Sequence, residues 1–130
     1  MQLKEEWNIC GTIITKEIQM PTNYKILGQV NPSASTSTNL VTVTSTASSY
    51  VVVSSISVAN LAASDATYRI AVRPNAETLA NKHYLAYDVT VGASDTTIIT
   101  VGLTLDSSDV IDVYASSANL AFHAYGSEIS

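Results

Sequence analysis

Charge is what this 130-residue chain has least of: charged residues make up 13% of it, about half the usual share. The only cations are Lys4, Lys16, Lys25, Arg69, Arg73 and Lys82, and the net charge is −5 with an isoelectric point near 4.7. Nucleic-acid binders need a basic face that displaces counterions from phosphates, and six scattered cations cannot form one. The same shortage disfavours anionic membrane surfaces. No apolar run approaches the roughly 18–20 residues of a membrane-spanning helix. The opening Met1-Gln2-Leu3-Lys4-Glu5-Glu6-Trp7 lacks the basic-then-apolar order of a signal peptide, and none is expected. A single cysteine, Cys10, excludes an internal disulfide and any Cys-x-x-Cys metal site. Eight asparagines form no Asn-x-Ser/Thr acceptor. With three prolines and five glycines, the chain is neither collagen-like nor a Pro/Gly-rich disordered one.

Hydroxyls replace the missing charge, with 17 Ser and 15 Thr. Val, Ile, Thr and Tyr together number 46, and these residues suit a pleated, half-buried surface. The length fits one domain with a real core. Period-two alternation predicts strands over Tyr24–Val30, Asn39–Thr44, Tyr50–Ala59, Thr67–Arg73, His83–Val91, Thr96–Leu105, Asp109–Tyr114 and Leu120–Tyr125. In the fourth, Tyr68, Ile70 and Val72 share one face and Thr67, Arg69 and Arg73 the other. Leu85, Tyr87, Val89 and Val91 are expected on one side of the fifth. Polar turn signals such as Asn31-Pro32-Ser33 and Ser116-Ser117-Ala118-Asn119 punctuate the series. The expected fold is all-β: a single jelly-roll-like β-sandwich of about eight antiparallel strands with an N-terminal extension.

Two stretches depart from this uniformity. From Ile26 to Ser64 there is no charged residue in 39 positions, although strand faces normally carry Lys and Glu. Such a neutral Ser/Thr face suits packing against other subunits; the plainer reading is that these hydroxyls simply meet solvent. Residues 1–23 hold a third of the cations, the only Trp and the only Cys, and Met20-Pro21-Thr22-Asn23 sets them apart from a sandwich domain over 24–130. Leu3, Trp7, Ile9, Ile13, Ile14 and Ile18 are candidate interface residues there, because so short a segment cannot shelter them alone. The segment is either an arm lying on a neighbour or an added strand of the sandwich.

Catalytic patterns are thin. A nucleophilic triad needs a serine beside His83 or His123, but Gly126-Ser127 is not part of a Gly-x-Ser-x-Gly elbow. Asp106, Asp109 and Asp112, with Asp95, offer oxygens to a cation but read as turn acids, and no catalytic, cofactor or metal site is expected. Glu5, Glu6, Glu17, Glu77 and Glu128 form no recognisable pair for glycoside hydrolysis. Tyr68, Tyr84, Tyr87 and Tyr114 suit a carbohydrate platform, or else core and interface packing.

Tyr24-Lys25-Ile26-Leu27-Gly28-Gln29, Tyr68-Arg69-Ile70-Ala71-Val72-Arg73-Pro74-Asn75, Val113-Tyr114-Ala115-Ser116 and the ending Tyr125-Gly126-Ser127-Glu128-Ile129 form a distinctive set. Over about residues 24–130 they resemble a family of small virion structural proteins of tailed bacteriophages. The resemblance implies a non-enzymatic particle component, located in the virion and assembled in the bacterial host cytoplasm. The single cysteine suits that compartment. It also implies the major capsid protein or other virion proteins as partners, and a homo-oligomer. The role expected is capsid decoration or cement, anchored by the N-terminal segment. The alternatives are a tail, neck or fibre component, or a carbohydrate-binding module that contacts the host surface. The absence of Lys and Arg between Lys25 and Arg69 and after Lys82 leaves trypsin little to cut, as a particle surface requires.

Overall fold

Alternating apolar and polar residues build the strands seen in the computed structural model, which describes residues 2–9, 12–19, 22–43 and 50–129, with side chains from residue 23 onward. They are β1 (Gln2–Ile9), β2 (Thr12–Gln19), β3 (Thr22–Val30), β4 (Thr38–Thr42), β5 (Tyr50–Asn60), β6 (Ala66–Arg73), β7 (Tyr84–Val91), β8 (Thr96–Leu105), β9 (Val110–Ala115) and β10 (Leu120–Ile129). Single 3₁₀ turns at Pro74–Ala76 and Asn81–His83 interrupt the β6–β7 connection. Among the described residues there is no α-helix, and so no helix long and apolar enough to cross a membrane.

One antiparallel sheet runs β3-β10-β5-β8 and the other β4-β9-β6-β7. The pairs β3–β10, β4–β9, β5–β8 and β6–β7 are nested, as if one long hairpin were wound across both sheets. This is the jelly-roll order, and the all-β sandwich expected from the sequence is the fold of the chain. The core lies between the sheets. Ile70 stands opposite Val113 and Val72 opposite Ile111 in one, and Phe122 opposite Val58 and Ala124 opposite Ile56 in the other. Tyr68 meets Phe122 edge to face across the core, with ring centroids 6.3 Å apart and planes at 76°. Burying each such side chain stabilises the fold by roughly 1.5–3 kcal/mol.

Several expected boundaries move. His83 lies in a 3₁₀ turn just before β7, Asp109 precedes β9, and β10 continues past Tyr125 to Ile129. Thr44 lies outside the described residues. Leu85, Tyr87, Val89 and Val91 do not share a side, because β7 slips register against β6 around Asp88, whose φ is +52°. Val91 is buried in the core, whereas Tyr87 is carried to the opposite face, against Arg69.

Residues 1–23 contribute two strands, not one. β1 and β2 pair antiparallel in a sheet of their own, and the sandwich sheets begin at Thr22. The register sets Leu3 opposite Ile18, Trp7 opposite Ile14 and Ile9 opposite Thr12, positions of one parity; Ile13 stands opposite Asn8 at the other. The side chains of these residues, and Cys10, Met20 and Pro21 altogether, lie outside what the structure describes.

Candidate interaction faces

The two outer faces of the sandwich differ in kind. Across the β3-β10-β5-β8 sheet, strand pairing assembles outward rows: Gln29-His123-Ser57-Ile98, Ile26-Tyr125-Ser55-Thr100, Tyr24-Ser127-Val52-Thr104 and, over three strands, Ala121-Ala59-Thr96. None of these rows contains Lys, Arg, Asp or Glu. Lys25 and Glu128 of this sheet occupy positions of the other parity and pair with each other at 2.7 Å. The β3 and β5 parts of the charge-free stretch thus join one continuous neutral face, while β4, also within the stretch, lies in the other sheet. His123 on it is bonded to the Gln29 amide at 3.1 Å.

The outer face of the β4-β9-β6-β7 sheet gathers arginine, tyrosine and paired acids. Alternation along β6 sends Arg69 and Arg73 outward while Tyr68 and Ile70 enter the core. The Arg69 guanidinium lies 4.1 Å from the Tyr87 ring centroid and 4.3 Å from that of Tyr114. It also donates to both carboxylate oxygens of Asp88, at 2.6 and 3.3 Å. That hydrogen bond, with the nearby negative charge, raises the arginine's affinity for its proton still further. Tyr84 meets Tyr87 edge to face at 4.9 Å, and Asn81, Tyr84 and Tyr87 line an open cavity of about 400 Å³. Arg73 donates to Asp112 at 2.6 Å and, by its Nη1, to the Glu77 carbonyl at 2.9 Å, tying the β6–β7 connection to β9. Asp112 is 5% exposed, so this pair is largely dry.

The other candidates separate into structural tasks. Asp106 accepts the Ser107 N–H at 2.7 Å, and Asp109 accepts those of Asn75 and Asp106 at 2.8 and 2.9 Å. Asp95 accepts the Thr96 N–H. Among the described residues no three His, Cys, Asp or Glu side chains converge as metal ligands. His83 accepts the Ala80 N–H at Nδ1, so its Nε2–H donates to Glu77 Oε2 at 3.1 Å. Lys82 reaches the same oxygen at 3.2 Å. The hydrogen bond from His83, then the contacts with Lys82, hold the Glu77 carboxyl below its ordinary range. Neither histidine has a serine hydroxyl among its partners in the described residues. Of the glutamates, Glu77 and Glu128 are engaged in these separate pairs, and the side chains of Glu5, Glu6 and Glu17 lie outside the description.

Of the four tyrosines considered from sequence, Tyr84, Tyr87 and Tyr114 come together around Arg69, while Tyr68 is in the core. Arg69 itself was missed: its signal was its place on the polar face of β6, opposite Tyr114. Asn60 was missed too. Its amide donates to the carbonyls of Ser64, Val91 and Gly92 and its oxygen accepts the Ala62 N–H, which binds two loops at one end of the sandwich. No family model matches this sequence, no curated protein aligns with it significantly, and no solved structure matches it at a significant level.

Proposed function

We propose that this chain is a non-enzymatic structural protein of a tailed-bacteriophage virion, a decoration or cement protein that packs on the capsid. The observation that carries the reading is the uncharged outer face of the β3-β10-β5-β8 sheet. A protein facing only water gains solubility from Lys and Glu on such a face; one that packs there avoids the cost of desolvating charge. The jelly roll is an architecture used by viral capsid domains, and by lectins. Fold alone does not choose between those uses. Contacts through a neutral face outlast salt, since at about 1 M only charges within roughly 3 Å still interact.

The test is binding of the purified chain to particles that lack it. Binding should persist in molar salt and fall when Ile26, 55% exposed, becomes Glu, with the melting temperature unchanged. Loss of binding in moderate salt would count against a neutral contact. The cluster of Tyr84, Tyr87 and Tyr114 around Arg69 favours a second reading, contact with carbohydrate through aromatic faces. Capture by immobilised glycans but not by particles decides for that reading.

A further inference from the structure

A sandwich of two four-stranded sheets has four edges, and three of them here carry charge or are notably short, features that discourage pairing with another chain. The β3 edge bears Lys25. The β4 edge is five residues long and slips register against β9. The β7 edge bears Asp88 and two register shifts against β6. Charges, shortness and bulges are the usual protections of strand edges. The β8 edge has ten residues without charge or proline, and its only device is a register shift at Gly102, where φ is +58°. Ahead of that shift Thr96–Thr100 stays in continuous register with β5, an unbroken run of Thr-Thr-Ile-Ile-Thr. Among the described residues no strand pairs with its outer side.

Burial points to the same flank. Inward residues of β5, such as Ile56 and Val58, are fully buried, but their β8 partners Ile99 and Thr97 remain half-exposed. Ile98 is 64% exposed on the neutral face, and on β7, the edge strand of the other sheet, Leu85 is 52% exposed. We infer that the β8 edge is the pairing surface for a second copy of this chain, joined antiparallel across a two-fold axis at Ile98. The run is nearly self-complementary about that residue: Thr96 meets Thr100 of the copy, Thr97 meets Ile99, and Ile98 meets its own counterpart. No like charges oppose each other in that arrangement. The two sheets become one eight-stranded sheet whose neutral face is continuous. The charged β3 edge at the far side closes the assembly as a dimer and keeps it from growing into a fibre.

The inference deepens the neutral-face reading but does not depend on a virion, so it is tested on the full-length chain in solution. Sedimentation velocity should give twice the 13.8 kDa chain mass at high micromolar concentration. Ile98→Lys should reduce this to a single chain that still melts cooperatively, because the side chain is exposed. Ile98→Cys in a Cys10→Ser background should run as a covalent dimer after oxidation. A wild-type chain that stays monomeric, a dimer that survives Ile98→Lys, or no cross-link overturns the pairing. A monomer that still binds particles overturns it while leaving the proposed function standing.

Discussion

Three described turns bend through serine at positions where glycine is more usual: Ser35, Ser94 and Ser108 have φ of 57°, 54° and 71°. A left-handed backbone costs an L-residue roughly 1–2 kcal/mol, part of which glycine would return as entropy of the unfolded chain. Ser108 uses its N–H to bond the Val43 carbonyl, a bond glycine keeps. Ser108→Gly is therefore expected to stabilise the fold by about 0.5–1 kcal/mol, read as a raised urea midpoint. Gly126→Ala should do the opposite, because the added Cβ falls on the Val52 carbonyl and the Ser54 nitrogen, backbone that no rotamer change can move aside. At this scale the sequence was only partly readable. Turn positions were visible in clusters such as Asn31-Pro32-Ser33, but Asn60 looked like any strand end because two of its bonds reach residues 31 and 32 positions away.

Among the elements, the β6–β7 connection has the clearest titration signature. Glu77 receives His83 and Lys82, and its carboxyl is held below the ordinary value of 4.5. A depressed carboxyl contributes stability above its unfolded pKa and loses it as pH falls through its folded value. The melting temperature of wild type should therefore exceed that of Glu77→Gln near neutrality. The gap should close as pH drops below the ordinary carboxylate range; a gap independent of pH would remove the ionic contribution. Strands were the most legible elements, since period two is set by local geometry and survives in a single sequence. What pairing alone decides was not legible. The slip at Asp88 reverses the face of Tyr87, and β1 and β2 hide because adjacent Ile13 and Ile14 break the alternation that marks a strand.

For the molecule as a whole, the uneven distribution of charge is the organising feature: a neutral face on one sheet, paired arginines and tyrosines on the other, and a separate N-terminal hairpin. The neutral character of the β3-β10-β5-β8 face was half-visible, since Ile26–Ser64 is one uncharged stretch, but β8 and β10 join it only through pairing. The β1–β2 ladder sets Leu3, Trp7 and Ile9 at one parity with Ile14 and Ile18 opposite. An isolated two-stranded hairpin is marginal in water, and covering such residues is worth roughly 1.5–3 kcal/mol for each side chain before ordering costs. Under the proposed virion role, an arm that anchors the protein to a particle would satisfy both conditions. Removing residues 1–21 takes away one hydrogen-bonded unit and leaves every strand of both sandwich sheets in place. The truncated chain is therefore expected to melt near the full-length temperature and to lose particle binding. Failure to fold would make the hairpin an integral part of the sandwich, and a truncated chain that decorates particles at full occupancy would refute the anchoring role.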